Sequence, residues 1–331
     1  MESESAWLSR LNAYRICVQN VKYARLHCPP RGEIMLRLTI GIPSYNEGAK
    51  IIPLINAVYE STLSNEGAQI SEIIICDHSS DSTPEILKSF MSQRPYLTIR
   101  LVHRDERGGA ASAWNEIFSL ASGDIIVLFD ADVSPLKDCI NELVSCMDNN
   151  KIGLCASNPI CSNPSSSAAR AASFISSWLE SIRQCGVSQY TVMGRSLSIR
   201  TDIAKKITIP EKTIAIDLYL QCRILEMGYQ ILYREKAMVY FTPPSTLRDF
   251  ASQVLRSRNG HRQISTQVKR LGINAPLWSV LMAAVKTTYS NPIDAFFMLL
   301  CSCLLPFYSS TLPGTDSYKW TIATSTKGQT N

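Results

Sequence analysis

Asp130 and Asp132 stand one residue apart at the end of an unbroken apolar run, Ile125-Ile-Val-Leu-Phe129. Along an extended chain the side chains at i and i+2 point to the same side. Two carboxylates so placed can offer oxygens jointly to a hard divalent cation, Mg²⁺ or Mn²⁺, and to the phosphate it carries. The same pair has a purely local use, capping a strand before the turn at Ser134-Pro135. For an isolated Asp-x-Asp the local use is the commoner one, so the rest of the chain has to decide.

The run before the pair reads as a buried strand of a parallel sheet, and open α/β sheets bind ligands just outside the carboxyl ends of such strands. From residue 36 to 133, apolar strands alternate with helical stretches, the pattern of parallel strands joined by crossover helices. Strands are expected over 36–42, 72–76, 97–102 and 125–129. Each ends in polar residues, which brings four loops to one edge: Pro43-Ser44-Tyr45-Asn46-Glu47; Asp77 to Asp81, before a helix opened by Pro84; Arg107-Gly108-Gly109 with Asn115; and Asp130 with Asp132. Further on, helices are expected over 135–149, 168–184, 214–227 and 245–270, and strands over 152–156, 229–233 and 238–241. The helix over 135–149 would bury Leu136, Ile140, Leu143 and Met147. Residues 162–167 form a polar loop, and Gly194 lies in the middle of 190–200.

A chain of 331 residues with 45% hydrophobic content has room for one large α/β domain and additions. Lys and Arg number 33 against 28 acidic residues, a net +5 that is too mild to indicate a nucleic-acid partner. Eleven cysteines show neither a Cys-x-x-Cys pair nor zinc spacing, so a reduced compartment is expected and residues such as Cys76 and Cys155 read as small core side chains. No Gly-x-Gly-x-x-Gly follows a strand and no Gly-x-x-x-x-Gly-Lys-Ser/Thr occurs, which excludes a dehydrogenase and a P-loop ATPase. A nucleotidyltransferase lacks its Gly-rich phosphate loop here, since Gly41-Ile-Pro-Ser-Tyr45 stands in its place.

Glu2 and Glu4 stand where a secretory signal is basic, so no signal peptide is expected. Over 6–26, Trp7, Leu8, Leu11, Tyr14, Val18 and Val21 recur at helical spacing beside Arg10, Arg15, Lys22 and Arg25. Such a helix can lie on an anionic membrane or pack on its own domain. Near the other end, 276–285 and 295–308 are apolar but shorter than the ~20 residues a spanning helix needs. A re-entrant or interfacial segment competes there with a buried core helix. Residues 309–331 are polar and rich in Ser, Thr and Gly, a composition expected to be disordered. A polymer-secreting synthase would need several spanning helices, which this chain does not offer.

Three stretches, LTIGIPSYNEGAKI (38–51), IIICDHSSDST (73–83) and RGGAASAWNEIFSLASGDIIVLFDADV (107–133), jointly resemble family-2 glycosyltransferases of the GT-A fold. Met193-Gly194-Arg195 lies where that family has a glycine-containing acceptor loop. Ala215-Ile216-Asp217-Leu218 lies at its Glu-Asp or Thr-Glu-Asp motif, and Gln253-Val-Leu-Arg256 resembles the Gln-x-x-Arg-Trp element of membrane-associated members. This chain departs from the pattern in having Ile216 for Glu, Ser257 for Trp, and Cys76 where many relatives carry a further Asp.

The resemblance implies an α/β fold: a GT-A-type nucleotide-sugar-binding sheet with flanking helices and a C-terminal amphipathic, apolar helical extension. The divisions expected are an amphipathic segment over 1–34, the GT-A domain over 35–244, a basic helical segment completing the site over 245–271, a membrane-associated segment over 272–310 and a polar tail over 311–331. The implied activity is inverting transfer of a sugar from a nucleotide-diphosphate donor to a hydroxyl acceptor, lipid-linked or membrane-proximal, at the cytoplasmic face of a membrane. Mn²⁺ or Mg²⁺ would be held by Asp132 with Asp130, Asp130 also facing the ribose. Pro43, Tyr45, Glu47, Asp77 and Arg107 would bind the donor on the base side, and Gln253, Arg256 and Arg258 its diphosphate. Gly194 would belong to the acceptor loop.

Asp217 is the candidate general base; read by spacing alone it is a helix-start carboxylate favoured by the dipole. Asp77 read alone is an Asx-turn or helix cap. Arg256 and Arg258 read alone belong to a solvated basic face, which with Arg248, Arg262, Lys269 and Arg270 against only Asp249 also suits anionic headgroups. A non-catalytic nucleotide-sugar-binding or scaffold protein that kept the fold is the competing function.

Overall fold

The computed structural model describes residues 35–62, 67–187, 194–273 and 275–309. The helix expected over 6–26, the polar tail over 311–331 and Met193 lie outside the described residues. Those described fall in one compact unit that begins at Met35.

In chain order the elements are β1 (Leu36–Ser44), α1 (Gly48–Thr62), β2 (Ala68–Asp77), α2 (Thr83–Gln93), β3 (Ile99–His103), α3 (Gly109–Leu120), β4 (Ile125–Phe129), β5 (Val133–Pro135), α4 (Cys139–Ser145), β6 (Ile152–Cys161), α5 (Ser167–Ile182), β7 (Ser196–Arg200), α6 (Thr201–Ala204), α7 (Ile216–Glu226), β8 (Gln230–Phe241), α8 (Leu247–Arg270), α9 (Leu277–Ser290) and α10 (Pro292–Ser309). Among the described residues one eight-stranded sheet has the order β3-β2-β1-β4-β7-β6-β8-β5. Strands β3, β2, β1 and β4 run parallel, and β7 joins β4 antiparallel. The chain steps outward from β1 to β2 and β3, then returns past them to β4. The reversal makes the crevice between the ends of β1 and β4 the topological switch point, where ligands bind in open α/β sheets.

Alternation along β4 divides its side chains between two cores. Ile125, Val127 and Phe129 pack under α1 and α4, while Ile126 and Leu128 pack under α3 and α7. Every residue of β4 is buried, so the strand is apolar throughout rather than alternating, as a two-sided sheet requires. Pro43 lies next to last in β1 without loss to the β4 ladder: β2 pairs on through Ser44, but β4 pairs only as far as Gly41.

Several boundaries differ from expectation for tertiary reasons. The helix expected over 135–149 begins only at Cys139, because Val133–Pro135 is captured as a short strand by β8. Ile140, Leu143 and Met147 are buried as expected. The two strands expected over 229–233 and 238–241 are one, β8, held along its length by β6. The apolar stretch expected over 295–308 belongs to a longer helix, α10, which runs through both Asp294 and Pro306. Asp294 is buried and paired to Arg170 of α5 at 3.1 Å, so its charge docks the helix instead of ending it.

Helix α5 is the platform for that elbow. Its Trp178 indole N–H donates to the Val280 carbonyl, and the Thr287 hydroxyl bonds to Ser181. Ala283, Ala295 and Cys301 fill the inner faces of α9 and α10. No single described helix is long and apolar enough to cross a membrane. Leu277–Ser290 and Pro292–Tyr308 together pass that length and composition test but meet at 116°.

Candidate active site

The turn after β4 is fastened to the segment that opens β7. Register pairs Phe129 with Ser196, and the Asp130 N–H continues the ladder by donating to the Arg195 carbonyl at 2.9 Å. Asp130 and Asp132 therefore sit on a turn, closed by the Val133 N–H to the Asp130 carbonyl at 3.4 Å. That corrects the extended geometry expected from spacing. The two carboxylates remain mutually repulsive: burial first, and then the charge of Asp132, push the Asp130 carboxyl up to about 8, against the pull of Arg195 and Arg256.

Asp217 lies in the first turn of α7, the helix that covers the Ile126–Leu128 face. Its carboxylate accepts from the Gly194 N–H at 3.1 Å and from the Leu218 N–H at 2.9 Å. Burial raises its proton affinity and outweighs these two bonds and the charges of His261 and Arg256. The approach is close: a Cβ on Gly194 would lie 3.2 Å from the Asp217 Cβ, so the Asp217 side chain would have to give by a few tenths of an ångström.

Helix α8 is started by Thr246, whose hydroxyl oxygen accepts from the Asp249 N–H. It reaches the site because Gly260 allows contact with α7: a Cβ there would come within 2.7 Å of the Ala215 Cβ. Arg256 then faces inward among Asp130, Asp217, Asp132 and Arg195, and burial lowers its hold on its proton. Gln253, one turn earlier on the same side, is half-buried. Arg258 is exposed, two residues or roughly 200° round the helix from Arg256. It corrects the expectation that both arginines serve the diphosphate.

On the side expected to hold the base, the Arg107 guanidinium stacks 3.9 Å from the centre of the Tyr45 ring. Pro43 is buried, and the Glu47 carbonyl accepts from the N–H groups of Lys50 and Ile51 to start α1. Asp77 has no exposed surface. Its oxygens take the Ser79 N–H, the Ser79 hydroxyl and the His103 ring. This is the turn-forming use, and the arrangement turns no free oxygen of Asp77 toward a base. Asp81 likewise takes the Thr83 N–H and hydroxyl at the start of α2. Asn115 is spent on the backbone of Ile209, through both its amide oxygen and nitrogen. A groove of about 570 Å³ beside α3 borders this side through His78, Arg104 and Arg107.

Sequence reasoning named Arg195 without a task. It pairs with Asp132 at 3.5 Å, and its guanidinium lies 4.1 Å from the centre of the Phe241 ring. The missed signal was its place next to the strand that pairs with β4.

Among the described residues no group of three or more His, Cys, Asp or Glu could hold a metal ion. Two carboxylates fit a different kind of site. Mg²⁺ or Mn²⁺ is commonly bound by one or two carboxylates, with substrate phosphates and water completing the shell, and Asp132 with Asp130 is such a donor set.

The elevated Asp130 carboxyl makes a thermodynamic prediction. Below about pH 4 both folded and unfolded chains hold this proton; between ~4 and the folded value the unfolded chain has released it and the folded one has not. Stability of the ligand-free protein therefore falls from pH 5 to pH 8. Urea midpoints should show this fall in wild type and a flatter profile in Asp130→Asn. Identical pH slopes in the two proteins would remove the assignment.

The family model described as glycosyl transferase family 2 matches residues 39–207, and that described as glycosyl transferase family group 2 matches 125–311. A protein of Bacillus subtilis named "Probable glycosyltransferase YdaM" is 25% identical over 69% of this chain and 56% of its own length. A beta-monoglucosyldiacylglycerol synthase of Trichormus variabilis is 30% identical over 35% of this chain and 24% of its own. The chain thus spans little more than half of one relative and a quarter of the other. In fold it is similar to a mannosyltransferase from Pyrobaculum calidifontis solved with GDP-Man and Mn²⁺, with a TM-score of 0.55, 18% identity, and 95% and 93% of the two chains covered. The open sheet with its flanking helices is of the GT-A type.

Proposed function

The chain belongs to glycosyl transferase family 2, and from that premise we propose that it is an inverting glycosyltransferase, moving a sugar from a nucleotide-diphosphate donor to a hydroxyl acceptor with the help of Mn²⁺ or Mg²⁺. The observation that carries the reading is the convergence of Asp130, Asp132, Asp217 and Arg256, from three separate segments, at the switch point of the sheet. A structural use of each residue on its own would not bring them together.

In this reading, Tyr45 and Arg107 flank the base, braced from beneath by Pro43 and by Asp77 in its turn, with Glu47 beside them. Asp132, with Asp130, would hold the cation. When bound, it would act as a Lewis acid that neutralises the diphosphate as the anomeric bond breaks. Arg256 supplies fixed positive charge on the same leaving group, with Gln253 alongside. Asp217 takes the proton of the acceptor hydroxyl, whose oxygen forms the new bond to the anomeric carbon as the diphosphate departs with the old pair of electrons. The displacement inverts that carbon. Raised proton affinity suits Asp217 to the task, since a general base works best with a pKa near the working pH. The segment ending at Gly194 would receive the acceptor. Sugar release from a panel of nucleotide sugars, with and without Mn²⁺, tests the reading, together with NMR of the product anomer. No turnover with any donor, or a retained configuration, counts against it.

The acceptor would be lipid-linked or membrane-proximal, reached from the cytoplasmic face of a membrane. In this division of labour 35–244 binds the donor, 245–271 completes the site and 272–310 meets the bilayer. Support comes from the outer face of the elbow, where Leu277, Trp278, Val285, Tyr289, Phe296 and Leu299 are exposed beside the basic helix α8. An exposed apolar patch of this extent marks an interaction surface, and basic residues nearby favour anionic headgroups by ~1 kcal/mol each. The protein is expected to co-sediment with vesicles of anionic phospholipid, and a Trp178-preserving variant, Trp278→Asp with Leu299→Asp, to stay in the supernatant. Equal sedimentation of both proteins would sink the membrane role.

A further inference from the structure

Arg195 is the cation nearest to hand for the turn that would hold the metal, and it is built in. Its backbone is clamped opposite Asp130 by strand pairing, its guanidinium lies on Phe241 at the end of β8, and its partner is Asp132. Both side chains of the pair are about four-fifths covered, at 21% and 20% exposure, so solvent screens them less than a surface pair. Stacking on an aromatic face holds a guanidinium in one place. The pair is thus preorganised. Around it stand Asp130, Asp217, Arg256 and the Cys161 thiol.

Resting on the donor-site reading above, we propose that Arg195 is a tethered counter-ion that occupies the electrostatic place of the metal at Asp132 and makes metal and nucleotide load together. A free divalent ion has to compete with Arg195 for the Asp132 carboxylate. A diphosphate arriving with the ion offers the guanidinium a second anion, so Asp132 is released at no loss of pairing. Metal and nucleotide then bind with positive coupling, and the coupling is reciprocal.

Mn²⁺ binding followed by electron paramagnetic resonance tests this without reference to turnover. The titration is run with Mn²⁺ alone and with UDP or GDP present, on wild type, Arg195→Met and Arg195→Lys. The Met variant should bind Mn²⁺ alone roughly tenfold more tightly than wild type, about 1.4 kcal/mol. Its gain in Mn²⁺ affinity on adding nucleotide should shrink by a similar factor. The Lys variant keeps the positive charge but loses the planar stack on Phe241, so its Mn²⁺ affinity should fall between wild type and the Met variant, which separates charge from a merely structural role. Folding is checked for each by circular dichroism, and Arg195→Gln replaces the Met variant if that one does not fold. Unchanged Mn²⁺ affinity and unchanged coupling in a folded Met or Gln variant overturn the proposal while leaving the donor site intact. Absence of Mn²⁺ binding in wild type with either nucleotide overturns both.

Discussion

Asp217→Asn is expected to keep donor binding and lose transfer, with kcat lowered by about 10²–10⁴-fold, the usual share of a positioned general base. Asn keeps the shape of Asp and one accepting oxygen; the Gly194 and Leu218 N–H groups sit on different oxygens of Asp217, so the variant keeps one of the two bonds and gives up the other. It cannot take a proton. Initial rates with a nucleotide sugar, set beside equilibrium binding of the free nucleotide, separate the two effects. Weakened nucleotide binding with kcat intact would identify Asp217 as a brace for the Gly194 segment and leave the base unassigned. The pH profile is a second readout. A half-buried carboxyl with raised proton affinity must be ionised to act, so the acidic limb of kcat should lie above the ordinary carboxylate range and be absent from the residual activity of the Asn variant.

Asp132→Ala is expected to abolish the stimulation by Mn²⁺ and to leave a slow, metal-independent rate. A Lewis acid on a departing diphosphate is worth several kcal/mol, and 3–4 kcal/mol corresponds to about two to three decades in rate. The measurement is kcat/KM across a Mn²⁺ titration in both proteins. Equal stimulation in wild type and variant removes the metal role from Asp132. The same substitution frees Arg195 from its partner, so residual nucleotide binding by the variant reports how much charge the arginines supply unaided.

The expectations for the donor half rest on local evidence. An apolar strand that stops at carboxylates, a Pro-Ser-Tyr-Asn loop and an Arg-Gly-Gly turn each follow from residues within a few positions of one another. A parallel sheet forces the loops after its strands to one edge. Ile125–Phe129 was readable to the residue, since a strand buried on both faces is apolar from end to end. The acceptor half was legible only through family resemblance. Asp217 by spacing is an ordinary helix-start carboxylate, and what distinguishes it is burial against Gly194, 23 positions away.

Some residues looked functional because chemistry and architecture use the same side chains. Asp77, Asp81 and Asn115 are polar and lie at the ligand edge, but each is consumed by backbone or side-chain donors that a folded loop has to satisfy. Arg256 and Arg258 are equivalent in sequence, and only the helical phase set by Gly260 against Ala215 decides which one turns inward.

By itself, then, the amino-acid order determined the layered α/β sheet and set the Asp130 and Asp132 pair at the strand-end edge, because hydrophobic period and strand-end polarity are properties of short segments. Tertiary structure alone decided that Asp130 and Asp132 lie on a turn, that Arg195 meets Asp132, and that α8 delivers Arg256 and withholds Arg258. Those outcomes depend on strand register and on the close approach of helices from distant parts of the chain, and no local spacing encodes a contact made across 40 residues or more.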